Sequence, residues 1–191
     1  MVMTVKKRVD TQLKKVILKG IADVPGGLAI KTSELGDDFL FEGTVIGAPS
    51  SGLCSVVKMA KLVTAATNTA TTYEVEKGHH LKVGDIIMAA ESAIAYAITS
   101  IDKTTNTTKD VLTVGTTLGV VIAVGAYVVQ AAAQAASNTS ALKVTPYALV
   151  GTGYPVVAND NIVTDAIVMA TIGNVTLPAF VLSKLKGIVN L

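Results

Sequence analysis

The clearest local pattern lies in residues 73–88, YEVEKGHHLKVGDIIM. Tyr73 and Val75 alternate with Glu74 and Glu76, the period of two that a half-buried strand requires. Lys77-Gly78 and Gly84-Asp85 break the pattern as turns, and Ile86-Ile87-Met88 resumes it as a strand. The same grammar of short apolar run and turn signal recurs along the chain. Phe39-Leu40-Phe41, Thr44-Val45-Ile46 and Leu53 to Val63 read as strands, the last two joined by a hairpin loop at Pro49-Ser50-Ser51-Gly52. Ala93 to Ile98 and Val111 to Val114 flank the polar loop DKTTNTTK (102–109) and read as a hairpin. Val156-Val157, Ile162-Val163, Ala166 to Ile172 and Val175 to Leu177 are further strand candidates.

Asp23-Val24-Pro25-Gly26-Gly27, Asn68 to Thr72, Pro146-Tyr147, Gly151 to Pro155 and Asn159-Asp160-Asn161 read as turns or connectors. Val83-Gly84-Asp85-Ile86-Ile87 is echoed by Val124-Gly125-Ala126-Tyr127-Val128, each a tight turn feeding a buried strand, though one echo does not make a repeat protein. Helical signals are few. Val5, Val9, Leu13 and Val16 or Ile17 fall at helical spacing in a basic N-terminal segment, and Ala131 to Ala136 is a helix seed of under two turns. The expected fold is therefore mainly β. It is a small β-barrel or β-sandwich of many short strands, with an N-terminal arm or short helix over residues 1–20 and a single β-rich domain over 21–191.

Composition sharpens this picture. Half of the residues are hydrophobic but only 4% are aromatic, so the apolar content is Ala, Val, Ile and Leu. Charged residues make up 16%, against about 25% in ordinary domains. A chain this apolar has too little polar surface to cover itself, and burial between sister copies resolves the shortfall. Val111 to Leu142 holds no charge and is long enough to cross a bilayer. Gly115, Gly119, Gly125, several Thr, Gln130 and Gln134 punctuate it, so buried strands explain it better than a membrane span.

Charge is divided unevenly. Residues 1–20 carry six Lys/Arg against one Asp, and the remainder ten Lys/Arg against thirteen Asp/Glu, a basic arm on a mildly acidic body. Lys14, Lys15 and Lys19 interrupt the place where a signal peptide would be apolar, and a single Cys54 cannot form an internal disulfide; both suggest a cytoplasmic origin. The basic segment has no aromatic, so no specific nucleic-acid reader is expected.

Candidate chemistry is sparse. His79 and His80 are the only histidines, and neighbours in a strand would face opposite ways, so a shared metal is not expected; a hydrogen-bonded or exposed pair beside Gly78 is. Cys54 sits in an apolar run and reads as a small core residue. Asp37-Asp38 and Asp160 lack the spacing of a calcium loop, and Asp85 reads as a turn former. No phosphate-binding, dinucleotide or nucleophile-elbow motif is present. Neither catalytic residues, nor metal ligands, nor a cofactor are expected.

FEGTVIGAPSSGLCSVVKMAKLV (41–63), YEVEKGHHLKVGDII (73–87), AYAITSID (95–102), LTVGTTLGVVIAVGAYVVQ (112–130) and VTLPAF (175–180) together resemble the tailed-phage head-fibre, head-decoration and capsid-cement proteins. KGHHLKVGD is the most distinctive piece. The resemblance implies a β-rich, commonly trimeric subunit on the capsid surface, assembled in the host cytoplasm, with the major capsid protein lattice as partner. No sustained heptads are present, so a short knob or plug is expected rather than a long fibre. On this reading Lys6, Lys7, Arg8, Lys14 and Lys15 dock the arm onto an acidic capsid patch. An adhesin-like β module is the alternative, but it needs an export signal. LKVGD also occurs in self-splicing domains, whose terminal His-Asn pair is missing here, and a small hydrolase would have only His79 or His80 to offer.

Overall fold

The computed structural model describes residues 15–157 and 160–191. The fold is mainly β, as the apolar-polar pattern predicts. The first third supplies β1 (Ile17–Asp23), β2 (Leu28–Ile30), β3 (Phe39–Leu40), β4 (Val45–Gly47) and β5 (Met59–Lys61). The middle supplies β6 (Thr72–Glu76), β7 (Ile86–Met88), β8 (Ala95–Asp102), β9 (Lys109–Val114) and β10 (Tyr127–Gln130). The last third adds β11 (Pro146–Val150), β12 (Tyr154–Pro155), β13 (Ile162–Thr164), β14 (Ala166–Ile172) and β15 (Ile188–Asn190), with a one-turn helix α1 (Ala179–Leu182) before β15.

Two sheets dominate. One has six strands in the order β5-β10-β7-β8-β9-β6, all antiparallel. It curls until its two edges meet at a single bridge, Leu62 to Val75, where the Val63 N–H donates to the Glu74 carbonyl at 3.0 Å. The edges touch there without forming a full ladder, so the barrel does not close. Its concave side holds Leu62, Tyr73, Val75, Leu81, Ile87, Ile98, Leu112, Leu118 and Val128. Burial of each large aliphatic side chain stabilises the fold by about 1.5–3 kcal/mol. In β6, Tyr73 and Val75 point inward while Glu74 and Glu76 do not, as the alternation predicts. The Tyr73 hydroxyl donates to the Ala70 carbonyl at 2.9 Å, so the buried phenol keeps a partner.

The other sheet runs β1-β14-β11-β4, with β15 parallel to β14. Around β4 and β11 it is buried on both faces. Val45 and Leu149 join Val57, Val129, Leu177, Val181 and Leu185 on one side. Ile46, Ala148 and Val150 join Ile30, Leu40, Cys54 and Ile162 on the other, beneath the small pairs β2–β13 and β3–β12. Two-sided burial explains why these strands are continuous apolar runs rather than alternating ones. The uncharged stretch 111–142 resolves into the end of β9, the whole of β10, isolated bridges and turns, and no helix among the described residues is long and apolar enough to cross a membrane.

Several expectations are corrected. Ala131 to Ala136 is not helical: Ala131 bridges Leu142 and Ala135 bridges Ala95, because so short a segment gains more from neighbouring strands than from nucleating a helix. Pro146 begins β11 rather than a loop, a first position at which its missing N–H does no harm. Tyr154-Pro155 forms the short β12. Val156-Val157 and Val175 to Leu177 are not strands; Leu177 instead seats the chain in the core just before α1. Leu53 to Val63 keeps regular pairing only in β5 and is otherwise held by isolated bridges. Ile17 to Gly20, assigned to the arm, form the first half of β1.

The echoed turns prove equivalent. Gly84 (φ +90°) and Gly125 (φ +82°) occupy the left-handed region. Gly84 N–H donates to Ile98 O while Ile98 N–H donates to Asp85 O, both at 2.8 Å. Gly125 N–H donates to Leu62 O at 2.9 Å while Leu62 N–H donates to Ala126 O at 2.8 Å. The strands that follow, β7 and β10, pair antiparallel.

Gly43 offers a test of how the start of the described chain is seated. Its φ is +81°, and an added Cβ would collide with Val16, whose own Cβ would lie only 2.8 Å away. Gly52 has a similar φ of +80° and open space around it. We predict that Gly52→Ala costs about 1–2 kcal/mol of backbone strain. Gly43→Ala should cost at least about 1 kcal/mol more, through overpacking. Urea unfolding of the two variants checks this, and equal losses would contradict the close packing of Val16 on the turn.

Candidate functional site

Of the five residues expected to dock on a capsid, Lys6, Lys7, Arg8 and Lys14 lie outside the described residues, as does most of the expected N-terminal helix. Lys15 is exposed, and its carbonyl accepts from Asn174 Nδ2 at 3.2 Å. Immediately after it, the Val16 and Ile17 N–H groups donate to Glu42 Oε1 at 3.1 and 2.7 Å. One carboxylate thus fixes the point from which β1 departs.

β1 then behaves unusually. Its pairing with β14 is shifted at three places: Leu18 and Ile21 are extra residues on β1, and Val168 is extra on β14. Bulges re-aim side chains, and Leu18 and Ile21 are 47% and 60% exposed. Met169 on β14 and Val189 on β15, the neighbouring strands, are 45% and 57% exposed. Four large apolar side chains therefore face water on three adjacent strands, and Lys15 and Lys19 are exposed beside them.

Within the fold, polar groups converge on Asp85. Its Oδ2 accepts from Lys58 Nζ at 2.8 Å and from the Lys82 N–H at 2.8 Å, and its Oδ1 accepts from Gln130 Nε2 at 2.7 Å. The Lys82 bond is the turn-forming role expected of Asp85. The other two were not foreseen. A lone lysine in the apolar run Val56-Val57-Lys58-Met59-Ala60 was the available signal, because such a charge must find a partner. Lys58 is buried, and the pair links the segment leading into β5, the turn before β7 and the end of β10.

A cavity of about 400 Å³ opens where the two large sheets meet. Phe41 to Thr44 and Val175 and Leu177 line one side, and Val56 to Lys61, Glu76 to His80 and Tyr127 line the other. His79 and His80 correct an expectation. Residues 79–82 are irregular rather than a strand, so the two rings do not diverge into core and solvent; both are buried, at 5% and 4% exposure, and both line the cavity. None of their four ring nitrogens has a hydrogen-bond partner among the described residues, and all four are closed to solvent. Asp110 Oδ2 is 3.3 Å from His79 Nε2, within ion-pair distance, but the contact lacks hydrogen-bond geometry. Burial lowers the affinity of both rings for a proton; the His80 pKa falls to about 4, with His79 beside it and then the positive charges of Lys58, Lys103 and Lys82 adding to the effect. For His79, Lys103 opposes protonation while Asp110 and Asp37 favour it.

The charged groups around the cavity are already matched. Lys61 pairs with Glu76 at 3.2 Å and Lys77 with Asp110. Burial and the nearby Glu76 push the Tyr127 phenol up to about 12, so it stays a neutral hydroxyl. Cys54 is fully buried in a separate cluster, where burial pushes its thiol up, in keeping with a core role. Among the described residues, no group of three or more His, Cys, Asp or Glu has the arrangement of a metal site.

Two predictions follow from these buried groups. Lys58→Met leaves the Asp85 carboxylate without its countercharge, so it should lower stability by about 3–5 kcal/mol in chemical denaturation; a loss under 1 kcal/mol would show that the pair holds nothing together. The second concerns pH. A folded-state pKa below the unfolded value near 6.5 means that the unfolded chain binds more protons between those two values. The His80 contribution is therefore complete above about pH 6.5 and lost as pH falls through about 4, amounting to about 3 kcal/mol. Unfolding free energies from pH 7.5 down to 4 should show this slope, and His80→Asn should flatten it between pH 6.5 and 4.5.

Comparison of the chain with protein-family models, with curated proteins and with solved structures returned no match.

Proposed function

We propose that this chain is a non-enzymatic structural subunit that decorates the outside of a tailed-phage capsid as an oligomer, stabilising the head or forming a short projection from it. The observation that carries this reading is the apolar surface of β1, β14 and β15. Leu18, Ile21, Met169 and Val189 stand in water on adjacent strands of one sheet. Exposed apolar surface larger than scattered single residues is a common mark of interaction sites, and this is what supports the reading. The excess of apolar residues suits a surface covered by sister copies, and these strands offer one such surface.

The basic segment enters the fold beside that surface. Lys15 and Lys19 are exposed, and residues 1–20 carry the positive charge of the chain while the rest is mildly acidic. The division suits a subunit whose apolar strands meet sister copies and whose basic arm meets an acidic shell. Repetition on a lattice multiplies weak contacts through effective concentration, so no single attachment need be strong. The likeness of the segments around KGHHLKVGD to head-decoration and head-fibre proteins gives the reading its virion context, and a trimer is the oligomer that this likeness favours.

Light scattering of the purified chain tests the first half of the reading. The wild type should be an oligomer, with three copies as the expected number, and the double variant L18D/I21D should be a folded monomer by circular dichroism. A wild type that stays monomeric at high concentration would defeat the proposal. For the second half, reversing the charges of Lys6, Lys7, Arg8, Lys14 and Lys15 should leave the oligomer intact and reduce co-sedimentation with empty phage heads at least tenfold. Undiminished binding would remove the arm from the attachment.

A further inference from the structure

The groups gathered on Asp85 are also the reactants of a covalent bond. We infer that Lys58 and Gln130 condense into an intramolecular isopeptide bond, with Asp85 as the general acid–base. The bond has no part in the assembly reading, and the chain stays non-enzymatic because the reaction modifies the protein itself, once.

Three placements carry this. The register of β5 and β10 pairs Ala60 with Val128 and Met59 with Val129, and one residue further it sets Lys58 opposite Gln130. The Gln130 N–H donates to the Lys58 carbonyl there at 2.9 Å. Opposed residues of an antiparallel pair send their side chains to one face, with Cβ atoms about 4.5–5.5 Å apart. Next, a single carboxylate touches both reacting groups. Asp85 Oδ2 accepts from Lys58 Nζ at 2.8 Å, and Oδ1 accepts from Gln130 Nε2 at 2.7 Å. An ionised carboxylate only accepts, so the amide presents its nitrogen, the leaving group, to Asp85. Last, the site is dry: Lys58 and Gln130 are 5% and 3% exposed, and the Asp85 side chain 13%. Other lysine–carboxylate pairs among the described residues, such as Lys61 with Glu76 and Lys109 with Glu74, are more exposed and hold no side-chain amide on the carboxylate.

The chemistry follows from these placements. Burial penalises both charges of an ion pair, and passage of one proton from ammonium to carboxylate removes both. The neutral amine is a nucleophile, and Lys58 Nζ attacks Cδ of Gln130. Asp85 gives its proton to Nε2 and takes one from Nζ. The Cδ–Nε2 bond breaks and the Nζ–Cδ bond stays. The products are a secondary amide, one ammonia and a neutral Asp85 carboxylic acid, a balance that needs no oxidant or co-reactant. Lys58 lines the cavity between the two large sheets, which gives ammonia a way out. A surface lysine and glutamine do not react in this way, because nothing holds them together; oriented intramolecular reactions reach effective molarities of about 10⁵–10⁸ M.

The experiment is intact-mass spectrometry of the full purified chain, kept folded at neutral pH and then denatured. The expected mass, with or without Met1, is that of the sequence less one ammonia. Trypsin should then leave Lys58 uncut and release a branched peptide that joins residues 32–61 to residues 110–143. Lys58→Arg keeps a cation beside Asp85 but has no amine to give, and it should show the full sequence mass. Asp85→Asn, which removes the proton relay, should do the same, with circular dichroism to check that each variant is folded. A wild type of full sequence mass, cut normally after Lys58, would overturn the inference even if both variants unfold. A missing ammonia traced to other residues would overturn the pairing, and a cross-linked Asp85→Asn chain would overturn the role of the carboxylate.

Discussion

The ion pair between Lys58 and Asp85, with Gln130 on the second carboxylate oxygen, holds together parts of the chain that apolar contacts alone would leave free to slide. β5, β7 and β10 are each only three or four residues long. Short strands specify their register weakly, because a slip of one residue flips side chains between faces. A buried charge tolerates no such slip, since separation from its partner would leave it unsolvated. Asp85 belongs to the turn before β7, Lys58 precedes β5 and Gln130 ends β10, so one carboxylate fixes three elements of the curled sheet. β5 and β10 also carry Met59, Tyr127 and Val129 into the cluster shared with the second sheet, and the cavity lies along that boundary.

The equivalent turn at Gly125 shows what the carboxylate adds. Its backbone bonds reproduce those of the Gly84 turn, but Ala126 stands where Asp85 would be. Backbone geometry is therefore sufficient to make the turn, and the side chain of Asp85 is free to serve another purpose, reaching inward to Lys58. On the far side, the sheet formed by β1, β14, β11 and β4 is packed on both faces near β4 and β11 but carries exposed apolar side chains at β1 and β15. One end of this sheet is core and the other is surface, although the composition of the strands hardly changes between them.

That contrast marks how far the sequence is legible. The alternation of Tyr73 and Val75 with two glutamates identifies β6 and its buried face, because period two is a local property. Gly26, Gly52, Gly78 and Gly84 are readable as turns because each adopts a positive φ that other residues resist. The mainly β character follows from the same signals. Ala131 to Ala136 misleads, because helical preference over six residues is weaker than the bridges offered by Leu142 and Ala95. The histidine pair misleads for a related reason: its placement depends on an irregular segment, and the argument from opposite faces applies only to a strand. Bulges at Leu18 and Ile21 leave no mark in the sequence, since they arise from the mismatch between β1 and a partner strand about 150 residues later. Lys58 was legible in principle, as a charge in an apolar run, but its partner was not.

The bulges of β1 also bear on how copies of this chain can meet. An outer strand whose pairing shifts three times within seven residues is a poor template for an endless hydrogen-bonded ladder, so the open-ended stacking that leads to fibrils is disfavoured. Any association along this margin would rest on the shapes of protruding side chains rather than on main-chain pairing.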